Sequence, residues 1–217
     1  MIQIIQDFIP ERSKNRPMRP NPMKYITIHN TGNYTRGADA KAHATYIKSD
    51  EASNLPVSWH YTVDEKGAYQ HLPDNETAYH AGDGNGAGNT QSIGIEICNN
   101  NDGNLLIATD NTTWLVADLC RKYNIPIQNV VQHNRWSGKD CPELLRRNRP
   151  YSWDIFIAKI EERLNSPISP EAITVENAIS AGLVTDYTHW LGVLTGTITP
   201  NPKFIKILID RAVEKLS

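Results

Sequence analysis

The feature that most constrains the fold is a series of short segments rich in β-branched and aromatic residues, each ended by a turn cluster. Such segments are typical of strands in a sheet. Four are predicted at residues 25–29, 59–63, 68–72 and 92–98, with a shorter one at 2–5. Helical composition and periodicity predict helices at residues 39–47, 112–123 and 153–164. A chain in which strands and helices alternate predicts an α/β fold.

Residues 166–171 are predicted to be a linker, because Pro167 and Pro170 end the last of these helices. The chain would then comprise a first domain at residues 1–165 and a small all-α module at residues 172–217. Within this module, helices are predicted at residues 175–181, 187–193 and 202–216. A unit this small is marginally stable alone. It is therefore predicted to pack on the first domain, on a second copy to form a homodimer, or on a surface.

Composition argues against several functional classes. The net charge of −2 and the pI near 6.4 give no sign of a polyanionic partner such as nucleic acid. No apolar run approaches the roughly 18 residues that membrane insertion requires. The three cysteines argue against a disulfide framework. The first ten residues lack the basic and long apolar regions of a signal peptide, which predicts synthesis in the cytoplasm and delivery by other means.

A loop-like segment at residues 132–142 carries His133, Lys139 and Cys141. The histidine and the cysteine lie eight residues apart, which fits neither a helical pair nor a short knuckle. Catalytic zinc takes three protein ligands of these kinds and keeps one position open. A third ligand must come from elsewhere, and His29, at the end of a predicted strand, is the preferred candidate. Two other histidines, His60 and His80, stay open on sequence grounds.

Two charged residues suggest catalytic roles near such a site. Lys139 could stabilise a developing oxyanion, although it could also be an ordinary surface lysine. Glu96 interrupts an apolar strand and could exchange protons with a zinc-activated water. It could equally face solvent on an amphipathic strand. Cys141 has a further alternative as the nucleophile of a cysteine hydrolase, with His133 or His29 as its base.

Five segments together resemble one family. They are ITIHNT at residues 26–31, VSWHYTV at 57–63, AYHAG at 78–82, SIGIEI at 92–97 and HNRWSGKDCP at 133–142. In this order they resemble the zinc-dependent N-acetylmuramoyl-L-alanine amidases, the family of amidase-type phage lysozymes and peptidoglycan recognition proteins. The likeness covers residues 20–165 and is strongest to endolysins and autolysins of Gram-positive bacteria and their phages. It implies a central mixed β-sheet flanked by helices.

The resemblance also implies a set of site residues. One zinc ion per chain would be bound by His29, His133 and Cys141, with Glu96 as acid and base and Lys139 as transition-state stabiliser. The implied substrate-binding residues are His80, Trp59 and Asn30. Some members have a catalytic tyrosine where this chain has Trp59, and a tryptophan has no hydroxyl proton to donate. His60 follows Trp59 on the predicted strand and is therefore expected to face away from the site.

The activity implied by the family is cleavage, by zinc-activated water, of the amide between N-acetylmuramic acid and L-alanine of the peptidoglycan stem peptide. The chain would act on the wall after release through a holin-type membrane hole or lysis. The module at residues 172–217 resembles small helical modules appended to some wall enzymes, which implies wall binding or self-association. The main alternative is a recognition module that binds peptidoglycan without cutting it. Because Cys141, Lys139 and Glu96 are all present, catalysis is favoured.

Overall fold

The structure is a computed structural model that describes residues 2–166, 175, 178–179, 183–184 and 186–216. The chain forms two compact units. The larger comprises residues 4–165, and the smaller comprises residues 166–217 together with 1–3. Each unit is described by itself below.

The larger unit is built on a mixed six-stranded sheet. Its strands are β1 (Ile4–Gln6), β2 (Tyr25–Asn30), β3 (Tyr61–Asp64), β4 (Gly67–Gln70), β5 (Ser92–Ile97) and β6 (Val130–Gln132). They lie in the order β1-β4-β3-β5-β2-β6. Only β3 and β4 pair antiparallel, and the other neighbours are parallel. This confirms the expected mixed sheet.

Helices flank this sheet, as expected. They are α1 (Ala40–Tyr46), α2 (Asp50–Ser53), α3 (Ala87–Thr90), α4 (Leu105–Tyr123), α5 (Asn134–Ser137), α6 (Glu143–Arg146) and α7 (Trp153–Asn165). The long helix α4 contacts β3, β5 and α7, while α1 contacts β3 and β4. Cys120, predicted to be a core residue, is 3% exposed on the buried side of α4.

Several local predictions differ from the structure. Helix α4 begins at Leu105, seven residues earlier than predicted, because the Asn104 side chain accepts a hydrogen bond from the Ile107 N–H and caps it. The glycine-rich segment at residues 79–92, predicted to be a loop, contains the short helix α3. Strand β3 begins at Tyr61 rather than at residue 59.

The central strands β2 and β5 have two different faces, because successive side chains on a strand point in opposite directions. One face carries isoleucines that are fully buried, including Ile28 and Ile95. The other face carries His29 and Glu96. The apolar face therefore belongs to the core, and the polar face is available for a site.

The smaller unit contains α8 (Tyr187–Leu194) and α9 (Pro202–Leu216), in agreement with two of the predicted helices. Asp186 caps α8 by accepting a hydrogen bond from the His189 N–H. Apolar side chains of α9 remain exposed, among them Phe204, Ile209 and Val213. Most of the predicted linker and of the helix at residues 175–181 lies outside the described residues. Self-association through α8 and α9 stays a prediction.

The helices in the described part of the chain are too short or too polar to cross a lipid bilayer.

Candidate active site

Three adjacent parallel strands bring the polar groups together at their carboxyl ends. His29 on β2 is the register partner of Glu96 on β5. On the other side of β2, Ile28 pairs with Gln132 of β6. The backbone N–H of the following residue, His133, donates a hydrogen bond to the Ile28 carbonyl at 3.2 Å. Ligand sites commonly form at this end of parallel strands. The register alone therefore places two histidines and a carboxylate side by side.

Cys141 reaches the same place through a closed loop. The Asn134 backbone N–H donates to the Cys141 carbonyl at 3.0 Å, which joins the two ends of the loop. The Asn134 side-chain amide donates to the carbonyls of Gly138 and Lys139 inside it. Gly138 has a positive φ of 75°, a conformation that favours glycine. The spacing of eight residues between His133 and Cys141 is thus the length of a loop that returns to its start.

The donor atoms of His29, His133 and Cys141 all lie within 4.8 Å of one another, and all three residues are buried. The Cys141 sulfur is 3.7 Å from Nδ1 of His29. Nδ1 of His133 is buried and has no hydrogen-bond partner among the described residues. A buried polar atom without a partner is costly, and a metal ion at this point would satisfy it.

The outer nitrogens of both histidines already have partners. Nε2 of His29 lies 3.0 Å from Nδ1 of His80. Nε2 of His133 lies 2.9 Å from the Ala81 carbonyl, which accepts its proton. Histidines that bind a metal usually make such a second contact, which sets the tautomer and the ring orientation. Nδ1 is therefore the nitrogen that could bind a metal in both histidines.

Burial also sets the protonation of the cluster. It lowers the pKa of His29 well below its ordinary value and also lowers the pKa of His133. The neighbouring histidines and Lys139 add to the effect on His29. Burial raises the pKa of the Cys141 thiol to about 12. Two neutral imidazoles and one sulfur make a donor set that fits zinc, and a bound cation would favour the thiolate.

The Glu96 side chain is only 16% exposed, which differs from the alternative of a freely solvated strand residue. Its Oε1 lies 4.0 Å from Nδ1 of His29. Its Oε2 is buried without a hydrogen-bond partner among the described residues. Burial raises the pKa of Glu96 to about 8, although the positive charge of Lys139 acts in the opposite direction. The carboxyl group is thus held beside the candidate metal ligands.

A cleft of about 760 Å³ opens over these groups. Its walls include Lys139, whose side chain is exposed, together with Trp59 and His80. Trp59 and Glu96 also line a second cavity of about 460 Å³ next to α1. The structure therefore gathers the two histidines and the charged candidates in one cleft that extends on both sides of Glu96, with Cys141 buried beside the histidines.

Two other residues considered from the sequence, Asn30 and His60, do not line the cleft. Asn30 lines neither cavity, and its Oδ1 accepts a hydrogen bond from the Leu144 backbone N–H. This contact ties β2 to α6 just after Cys141, and so supports a structural contribution for Asn30. His60 is fully buried and bonded to the Glu76 carbonyl and the Gly94 N–H, so it is not part of the cluster.

Sequence reasoning missed the contact between His80 and His29. Asn89 holds the His80 segment in place, because its side-chain oxygen accepts hydrogen bonds from the backbone N–H groups of His80 and Ala81, both at 2.8 Å. Gly94 leaves room for the imidazole, since a β-carbon there would lie 2.7 Å from the His80 ring. The AYHAG segment was the only available signal, and it did not reveal which group His80 contacts.

Comparison with known proteins agrees with this geometry. The sequence profile of the Amidase_2 family, described as N-acetylmuramoyl-L-alanine amidase, matches residues 19–144. N-acetylmuramoyl-L-alanine amidase XlyA of Bacillus subtilis (strain 168) is 52% identical over 160 residues, which are 74% of this chain and 52% of XlyA. CwlH of the same organism, also an N-acetylmuramoyl-L-alanine amidase, is 44% identical over 185 residues, which are 85% of this chain and 70% of CwlH.

The fold of the larger unit also matches a solved structure. The catalytic domain of XlyA superimposes with a TM-score of 0.69 and 52% identity, and the match covers 73% of this chain and 99% of that domain. The chain spans about half the length of XlyA itself. On the matched profile, the identity and the shared fold, this chain belongs to the Amidase_2 family of N-acetylmuramoyl-L-alanine amidases.

Proposed function

We propose that this protein is a zinc-dependent N-acetylmuramoyl-L-alanine amidase. It would hydrolyse the amide between the lactyl group of N-acetylmuramic acid and L-alanine of the stem peptide in bacterial peptidoglycan. The observation that carries the proposal is the cluster of His29, His133 and Cys141 beside a cleft that Glu96 and Lys139 line. Membership of the amidase family supports the choice of substrate.

Nδ1 of His29, Nδ1 of His133 and the Cys141 sulfur would hold one zinc ion. When bound, zinc would supply Lewis acidity to the scissile carbonyl and to water. The outer contacts from His80 and Ala81 would keep the two imidazoles in the required tautomer and orientation. In this proposal His80 is a positioning residue for His29, in addition to lining the cleft.

Glu96 would move the proton in this site. Its carboxyl group lies beside His29 and lines the cleft, so it can accept a proton from the attacking water and pass it to the leaving L-alanine nitrogen. The Trp59 indole N–H donates to Thr62 Oγ1 at 2.7 Å and offers no exchangeable hydroxyl. Of the two residues shared by both cavities, Trp59 and Glu96, we therefore assign both proton-transfer steps to the Glu96 carboxyl group.

Lys139 would stabilise negative charge that develops on the carbonyl oxygen. Its side chain is exposed in the cleft, and no carboxylate in the described part of the chain forms an ion pair with it. An ammonium group that is not neutralised by a neighbour is free to interact with a substrate oxygen.

The site of action would be the cell wall. The proposal includes release by lysis, as for a phage endolysin or an autolysin. A detached wall fragment and an intact wall both present the same amide, so activity on purified walls tests the chemistry independently of the route of release.

The test is digestion of purified peptidoglycan, followed by measurement of new L-alanine amino groups and new reducing sugar ends. The proposal expects amino groups only, loss of activity with a chelator and recovery with zinc. New reducing ends would indicate a glycosidase. Binding without release of either group would indicate a recognition module, and activity that resists chelation but is abolished by alkylation would indicate a cysteine hydrolase.

A further inference from the structure

The cleft described above has two arms that differ in charge. The larger cavity, of about 760 Å³, is lined by His29 and His133 together with the cations Arg19 and Lys139. The smaller, of about 460 Å³, runs beside α1. Its described lining residues are Thr31, Asn33, Ala38, Ala42, His43, Tyr46, Trp59 and Glu96, and none of these is lysine or arginine. The two arms meet at Trp59 and Glu96. A substrate whose scissile bond lies at this junction would therefore extend into both cavities.

Arg19 is positioned by a well-anchored backbone. The Thr77 N–H donates to the Arg19 carbonyl at 2.8 Å, and Pro20 forms a bridge with Glu76. The buried Asn21 side chain then donates to two backbone carbonyls, those of Asp74 and Ser92. The chain directly after the Arg19 α-carbon is thus held at the rim of the larger cavity.

The Arg19 guanidinium group is available to a ligand. It donates one hydrogen bond to the Asn85 side-chain oxygen at 3.1 Å, and both residues line the larger cavity. No carboxylate of the described chain pairs with it, in contrast to Arg16, which binds Glu76 through two nitrogens at 2.7 and 2.8 Å. A guanidinium fork matches the geometry of a carboxylate.

The two halves of the proposed substrate differ in charge in a corresponding way. The glycan offers hydroxyl and acetamido groups, and the lactyl carboxyl group of muramic acid is consumed in the scissile amide. Free carboxylates therefore lie on the stem peptide. We propose that Arg19 binds a free carboxylate of the stem peptide, so that the peptide lies along the larger cavity and the sugar side lies in the smaller one. This inference rests on the proposed amidase function.

The experiment uses the full chain loaded with zinc and two soluble muramoyl-peptide substrates. One has free carboxylates, and the other has the same peptide with its carboxylates amidated. For Arg19→Gln we expect KM for the free-carboxylate substrate to rise about fivefold, with kcat within about twofold, because one partly exposed ion pair is lost. For the amidated substrate we expect Arg19→Gln and the wild type to have the same KM.

Two controls separate this effect from general damage. Arg12 is an exposed arginine seven residues before Arg19 that lines neither cavity, so Arg12→Gln should leave both KM values unchanged. Tyr46 lies in the smaller cavity and is 41% exposed. Tyr46→Ala should raise KM for both substrates by the same factor, since it would act on the sugar side. Substrates amidated at one carboxylate at a time identify the group that Arg19 binds.

The inference is overturned if Arg19→Gln changes KM equally for both substrates or for neither. Its failure differs from failure of the proposed function, in which the zinc-loaded wild type would cleave neither substrate. In that case calorimetric binding of the same two peptides to wild type and Arg19→Gln decides the Arg19 assignment: a loss confined to the free-carboxylate peptide supports it, and any other result rejects it.

Discussion

Nε2 of His29 lies 3.0 Å from Nδ1 of His80, and this contact decides which nitrogen of the His29 ring is directed at Cys141. With Nε2 occupied, Nδ1 faces the Cys141 sulfur at 3.7 Å. Ser92 Oγ lies 3.4 Å from the far nitrogen of His80 and 2.8 Å from Thr27 Oγ1, so a chain of polar contacts supports the imidazole from behind. The geometry of the candidate metal centre thus depends on residues outside the ligand set.

Replacing His80 should weaken metal binding without removing a ligand. For His80→Ala we expect zinc affinity to fall about 10- to 100-fold, the usual effect of losing an outer contact to a ligating histidine. Competition with a chromogenic chelator measures this directly. His80→Gln should restore part of the affinity, because its amide can also bond Nε2. His43→Ala is the control, since its Nδ1 faces the Asp39 carbonyl. An unchanged affinity in folded His80→Ala would refute the positioning role.

Glu96→Gln should retain the metal and lose turnover. Glutamine has nearly the same shape but cannot accept and return a proton at neutral pH, so we expect kcat to fall about 10²- to 10⁴-fold. Zinc content by atomic absorption should stay at the wild-type level. Glu161→Gln on the exposed side of α7 provides a matched control. Wild-type rates in Glu96→Gln would show that another group transfers the proton.

Lys139→Met should reduce the rate of the chemical step. Removing one group that stabilises a developing oxyanion typically costs about 10²- to 10³-fold in kcat. Because the Lys139 side chain is exposed, the melting temperature should not change. Lys24→Met, another exposed lysine outside the cleft, should retain full activity. If Lys139→Met lost zinc or melted earlier, the change in rate could not be assigned to oxyanion stabilisation.

The metal-free protein should lose stability as the pH falls below about 6.5, the ordinary pKa of histidine. Burial lowers the pKa of His71 to about 3, while the unfolded chain takes up the proton near pH 6.5. Between these values the unfolded state binds more protons, so His71 reduces the free energy of unfolding by up to about 1.4 kcal/mol per pH unit.

Urea unfolding of the metal-free protein at pH 7, 5.5 and 4.5 measures this slope. Burial also lowers the pKa of His60, which contributes in the same direction. His71→Asn cannot titrate at this position and should show a shallower dependence on pH. An identical slope in His71→Asn and wild type would contradict the assignment.

Local patterns predicted most of the elements but not all of their ends. The apolar stripe of α4 signals the helix only from its third turn, because Leu106 and Ile107 in the first turn are 50% and 44% exposed. The short helix α3 lies among glycines, whose low helix propensity predicts a loop. Its first turn is stabilised instead by the Asp83 carboxylate, which accepts hydrogen bonds from the backbone N–H groups of Gly88 and Asn89. Such a cap depends on a turn geometry that periodicity does not encode.

The sequence by itself determined which side chains this protein has for metal and proton chemistry, and their order in motifs that resemble one family. Only the tertiary structure decided that Glu96 lies opposite His29, that Nε2 of His29 contacts His80, and that Nε2 of His133 contacts the Ala81 carbonyl. The physical reason is that strand register, set by backbone hydrogen bonds between distant segments, makes these residues neighbours. Side-chain periodicity reports which face of a strand is buried, but it does not report which strand lies beside it.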